Sequence, residues 1–139
     1  MNKKLRDNAA NFAGSEVTNF KTTQINMQES TASYFIKDET LDWQEVEPGV
    51  SRKIMAYDPS LMLMQVKFEK GGIGPIHRHV HVQISHVFSG IFEVQVDGNK
   101  NILKAGDTFF VPSNLWHGVL CLEAGILIDT FSPMREDFL

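Results

Sequence analysis

From Val50 onward the chain runs in short apolar or alternating stretches, each closed by residues that favour turns. That pattern predicts strands packed as a sandwich or barrel. The predicted strands are Ser51 to Tyr57, Met62 to Phe68, His77 to Phe88, Phe92 to Val96, Asn101 to Leu103, Thr108 to Val111, Gly118 to Leu122 and Ile126 to Phe131. Between them, Asp58-Pro59, Lys70-Gly71-Gly72, Ser89-Gly90, Asp97-Gly98-Asn99, Ala105-Gly106-Asp107, Pro112-Ser113-Asn114 and Glu123-Ala124-Gly125 supply the turns. The pattern holds no long amphipathic helix. Eight short strands predict an all-β fold, a small jelly-roll barrel with an apolar end and room for a ligand cavity at the other.

Before Val50 the pattern is weaker. Residues 1–33 are rich in Asn, Thr, Gln, Ser and Lys, and the spacing of Leu5, Phe12 and Phe20 makes no helical stripe. The expectation is a polar N-terminal tail or an arm that packs on a neighbouring subunit, with the folded domain covering 34–139.

The histidines change the picture. Four of the five, His77, His79, His81 and His86, fall between Gly71 and Gly90. Alternation along one strand puts His77, His79, His81 and Gln83 on one face, with Arg78, Val80 and Val82 on the other. His117 is the candidate to join them from elsewhere in the chain. Imidazole nitrogens with one amide oxygen suit Zn, Ni, Fe, Mn or Co better than Ca or Mg. His86 falls on the opposite face and reads as a surface histidine. Further on, Asp129 interrupts the apolar run Gly125-Ile-Leu-Ile-Asp-Thr-Phe131, sharing a face with Leu127 and Phe131 by alternation. An inward carboxylate there has a raised pKa and can act as a general acid; the alternative is an outward aspartate bridged to Arg135.

Composition narrows the function classes. A chain of 139 residues with 42% hydrophobic residues is in the range of one domain. Seventeen acidic against thirteen basic residues leave no electrostatic footprint for nucleic acid. The single cysteine, Cys121, excludes an intrachain disulfide, reads as a small buried hydrophobe and fits a reducing compartment. Lys3 and Lys4 are followed by Arg6, Asp7 and Asn8 where a signal peptide needs an apolar segment, and no run reaches transmembrane length. A soluble, cytoplasmic chain with no membrane partner is expected.

Gly71, His77, His79, Gln83 and Gly90 resemble the first cupin motif, G-x5-H-x-H-x3-E-x6-G, with Gln83 at the glutamate position. Gly106, Pro112 and His117 resemble the second, G-x5-P-x-G-x2-H-x3-N, with Asn114 in place of its second glycine and Cys121 in place of its asparagine, so the chain resembles a single-domain cupin, a small double-stranded β-helix. Trp43 to Gly49, Phe109 to Gly118 and Asp129 to Leu139 are similar to the small pectin-degradation cupins that linearise 4,5-unsaturated uronates, although Val82 and His86 depart from the Glu and Tyr usual there. The resemblance implies that His77, His79, Gln83 and His117 hold one divalent transition metal (Ni, Zn, Mn, Fe or Co), Asp129 is the acid/base and Arg135 grips the carboxylate. It also implies that Phe131 packs against the sugar. With four metal ligands supplied, His81 is expected to shape the pocket or contact substrate rather than bind metal. Neutral Gln83 would leave the ion a stronger Lewis acid than a glutamate would. The implied substrate is an unsaturated galacturonate or mannuronate released from pectin or alginate, opened to a linear keto acid by an isomerase-type reaction. Other readings are a different metal-cupin enzyme, an oxygenase or sugar isomerase, and a non-catalytic small-acid-binding cupin. Exposed sheet edges together with the N-terminal arm make a homodimer the expected assembly.

Overall fold

The computed structural model describes residues 34–139. The expected polar tail or arm, 1–33, lies outside the described residues. Ten strands follow in order: β1 (Gln44–Glu47), β2 (Val50–Asp58), β3 (Leu61–Phe68), β4 (Ile73–His77), β5 (Val82–Val87), β6 (Ile91–Val96), β7 (Asn99–Lys104), β8 (Thr108–Val111), β9 (His117–Glu123) and β10 (Gly125–Ser132). They form an antiparallel six-stranded sheet, β1-β2-β3-β10-β5-β8, and an antiparallel four-stranded sheet, β4-β9-β6-β7. This is the all-β barrel that the alternating pattern predicts.

The core is built from rows of inward side chains set by strand register. In the larger sheet, Met62, Phe131, Gln83 and Val111 lie side by side across four strands. The next row is Met64, Asp129, Ser85 and Phe109, and the next is Val66, Leu127 and Val87. All of these residues are buried. The smaller sheet contributes Phe92, Val94 and Cys121, and the Phe68 and Phe92 rings meet edge to face at 5.3 Å. Each buried aliphatic or aromatic side chain stabilises the fold by ~1.5–3 kcal/mol, so the hydrocarbon rows hold the barrel closed around the polar one.

Backbone geometry fixes two turns. Asp97 (φ 50°) and Gly98 (φ 78°) both adopt left-handed conformations, as a tight two-residue hairpin between β6 and β7 requires. At Gly90 (φ 84°) an added Cβ would lie 2.6 Å from the Glu123 carbonyl, so only glycine lets the chain pass there.

Two expectations are corrected. The stretch His77 to Phe88 is not one strand. β4 ends at His77 in the smaller sheet, residues 78–81 leave the ladder, and β5 begins at Val82 in the larger sheet. A strand that switches sheets is how a sandwich turns a corner, and uninterrupted alternation cannot foresee it. The second concerns β1 and the start of β4, which the strand pattern omits. β1 is exposed throughout and has no inward apolar set, while β4 carries Gly74 and Pro75, tolerated because it lies at a sheet edge.

Candidate metal centre and acid/base cavity

The end of β4 and the start of β9 pair in antiparallel register, with His77 directly opposite His117. Their rings are 4.3 Å apart. His79, on the segment that crosses between the sheets, brings its ring within 5.4 Å of His77 and 4.7 Å of His117. Candidate ligand nitrogens of the three all lie within 4.8 Å of one another. Convergence therefore comes from strand pairing and a sheet switch, and not from alternation along a single strand.

Each imidazole is oriented by a backbone carbonyl. His77 Nδ1 lies 2.7 Å from the Pro75 oxygen, His79 Nδ1 2.9 Å from the His81 oxygen and His117 Nδ1 2.8 Å from the Leu115 oxygen. A carbonyl only accepts, so Nδ1–H donates in every case and Nε2 keeps its lone pair for a ligand. His117 Nε2 is buried without a hydrogen-bond partner. His79 Nε2 lies 3.0 Å from Gln83 Oε1, two lone pairs facing each other, an arrangement that a shared cation relieves. Burial, reinforced by the nearby Arg135 charge, lowers the His79 pKa. Burial also pushes His117 down to about 4, against the opposing pull of the Leu115 carbonyl. Three imidazoles that turn Nε2 to one another and one amide oxygen are a donor set that fits a divalent transition ion.

A polar row continues inward from this cluster. Gln83 Nε2 donates to Ser85 Oγ at 2.8 Å, and Ser85 pairs in register with Asp129. Asp129 is buried between Leu127 and Phe131, as alternation predicts, and its Oδ1 has no hydrogen-bond partner. Burial pushes its carboxyl up to about 6, opposed by a hydrogen bond from Ser85 and by the charge of Arg135. Arg135 is itself buried and donates from Nε and Nη2 to the two Asp137 oxygens at 3.0 and 2.8 Å. The bridge considered between Asp129 and Arg135 is thus made to Asp137 instead.

His77, Gln83, Asp129, Phe131 and Arg135 line one cavity of about 200 Å³. Phe131 presents its ring edge to His79, with centroids 5.8 Å apart. His81 is not among the lining residues; its carbonyl orients His79, and its ring stands 5.4 Å from the His79 ring. His86 is exposed on the outer face, within 3.0 Å of Thr108 Oγ1. Sequence reasoning missed Ser85, Arg52, Asp137 and Phe138. Ser85 was accessible in principle, standing two residues after Gln83 on the same face; the other three carry no local signal.

A barrel of two antiparallel sheets with a histidine cluster on the sheet switch defines the cupin class, and residues 64–128 match the family model for the cupin domain. The pectin degradation protein KdgF of Dickeya dadantii (strain 3937) is 51% identical over 108 residues, covering 76% of this chain and 97% of that protein. The structure of KdgF from Halomonas sp. is similar with a TM-score of 0.75 and 45% identity, over 77% of this chain and 99% of that one. An RmlC-like cupin from Shewanella frigidimarina NCIMB 400 matches with a TM-score of 0.75 and 43% identity, over 77% of this chain and 96% of that one. The chain belongs to the cupin superfamily, where it stands with the small pectin-degradation cupins that it resembles. Among the described residues, no helix is long and apolar enough to cross a membrane.

Proposed function

We propose that this chain is a cytoplasmic, metal-dependent cupin enzyme of pectin or alginate breakdown that converts 4,5-unsaturated uronate monosaccharides to linear keto acids. The observation that carries this reading is a buried carboxyl with a pKa of about 6 in the same cavity as His77 and Gln83 of the histidine cluster. Support comes also from the 51% identity to a pectin degradation protein.

His77, His79, Gln83 and His117 would hold the ion, which supplies electrostatic stabilisation for the uronate carboxylate and ring oxygens when bound. Asp129 moves the protons. A pKa near 6 lets it take the hydroxyl proton as the hemiacetal opens and return a proton to carbon as the enol ketonises. The reaction is an isomerisation, so no atom is gained or lost. Arg135 places positive charge at the anionic end of the sugar, and Phe131 supplies an apolar wall. Leu63, Ile84 and Phe110, with Thr130 between the first two, form an exposed and largely apolar row on the outer face of the larger sheet, a surface on which a second copy would dock to make the dimer.

A proton NMR time course of freshly generated 4,5-unsaturated galacturonate tests the proposal, comparing metallated protein, chelator-stripped protein and buffer. Faster loss of the vinyl proton with metallated protein and accumulation of the keto acid is the expected outcome. Three coincident traces would remove the uronate function.

A further inference from the structure

Two guanidinium groups, not one, border the cavity. Arg52, on β2, lines it together with Arg135 and Phe138. The Phe138 ring meets both cations, with each guanidinium carbon 4.1 Å from its centroid. They differ in what they have left to offer. Arg135 has its Nε–Nη2 edge closed by the bidentate Asp137 carboxylate. Arg52 makes no ion pair within 4.0 Å among the described residues, although the Asp137 charge reaches it: its Nε makes one long 3.4 Å bond to the neutral Gln44 oxygen, and its terminal nitrogens carry no hydrogen bond to a described residue. A guanidinium fork recognises carboxylate by two parallel N–H···O bonds, and stacking on an aromatic ring holds the fork in a fixed plane at little further entropic cost. A guanidinium with an open terminal edge, fixed by a ring at the border of this cavity, is built for an anionic ligand.

We infer that Arg52 is a further substrate-binding residue, whose open guanidinium fork takes the carboxylate of the uronate while Phe138 holds that fork in place. Arg135, tied to Asp137, then contributes mainly charge and the position of Phe138. The inference rests on the uronate reading above, but its test can be separated from it. Carboxylate binding of this kind is felt equally in ground and transition states, so Arg52 sets KM and not kcat.

The experiment uses saturated D-galacturonate and its neutral methyl ester as calorimetric probes of the metallated protein, alongside turnover of the unsaturated uronate. Arg52→Gln is expected to weaken the acid by about 10–100-fold, the range of a charge-assisted bond, and to leave the ester unchanged. A merely structural role would weaken both probes alike. Arg52→Lys keeps the charge without the fork and should lose less, about 3–10-fold, which guards against a variant that fails to fold. In turnover, KM rises by the same factor and kcat holds within about threefold. Equal losses for acid and ester, no loss for either, or a wild type that binds the acid no better than the ester would each overturn the inference. If the wild type shows the acid preference and its dependence on Arg52 but no turnover, the linearisation reading fails and Arg52 stands as an anion-binding residue. If turnover is present and KM is indifferent to Arg52, the reverse holds.

Discussion

Leu127 and Asp129 leave β10 on the same inward face and both are buried, yet burial acts on them in opposite directions. Leu127 meets Val66 and Val87 across the sheet, and its removal from water stabilises the fold. Asp129 meets Met64 and Ser85, and its removal from water favours the protonated acid so strongly that the carboxyl titrates near 6. One row of the barrel interior holds the molecule together. The next holds a group that the fold would be more stable without, and such groups gather where chemistry is done.

The contrast is tested most strongly by Asp129→Asn. Turnover should fall by about 10²–10⁴-fold, the usual worth of a positioned acid/base. Urea unfolding of the metal-free variant at pH 7.5 should show a gain of about 1–3 kcal/mol, because an amide occupies the buried place without ionising. A loss of stability instead would erase the distinction between the two rows. Leu127→Ala should cost about 2–5 kcal/mol in the same measurement. A loss below about 1 kcal/mol would mean that this row is not close-packed.

The pH dependence sharpens the comparison. The folded Asp129 pKa of about 6 lies above the ordinary 3.8, so the folded state keeps a proton that the unfolded chain gives up. Its contribution is present in full below the lower value and is lost as pH rises through the higher one, about 3 kcal/mol in all. His117, depressed from 6.5 to about 4, works the other way, losing stability as pH falls through that interval. The difference between wild type and Asp129→Asn across pH 4–7 isolates the carboxyl, and a flat difference would refute its buried state. Smaller still is the metal effect. An ion at a hundredfold over its Kd should stabilise the stripped protein by about 2.7 kcal/mol, and His117→Ala should abolish the gain in thermal unfolding. The smallest change is expected at His86→Ala, within about 0.5 kcal/mol and without effect on turnover, since that ring lies on the outer face.

Much of this molecule is readable from local pattern. Period-two alternation places Leu127, Asp129 and Phe131 inward and His86 outward, and turn residues such as Asp97-Gly98 mark where strands reverse. The same rule fails between His77 and Val82, where the chain changes sheets. His77, His79 and His117 still converge, because the motif spacing encodes a three-dimensional arrangement that alternation does not describe. β1 escaped notice since an edge strand exposed on every residue leaves no hydrophobic signature.

Sequence by itself determined the all-β class and the inward set on each regular strand, because side-chain direction along a strand depends only on neighbouring residues, and motif spacing named the candidate ligands. Tertiary structure alone decided that His77 pairs with His117, that Arg135 is bound to Asp137 and that Arg52 joins it around Phe138. Those outcomes depend on which strands become neighbours and where the chain's end returns to the barrel, and these are set by the packing of the whole core rather than by any short run of residues.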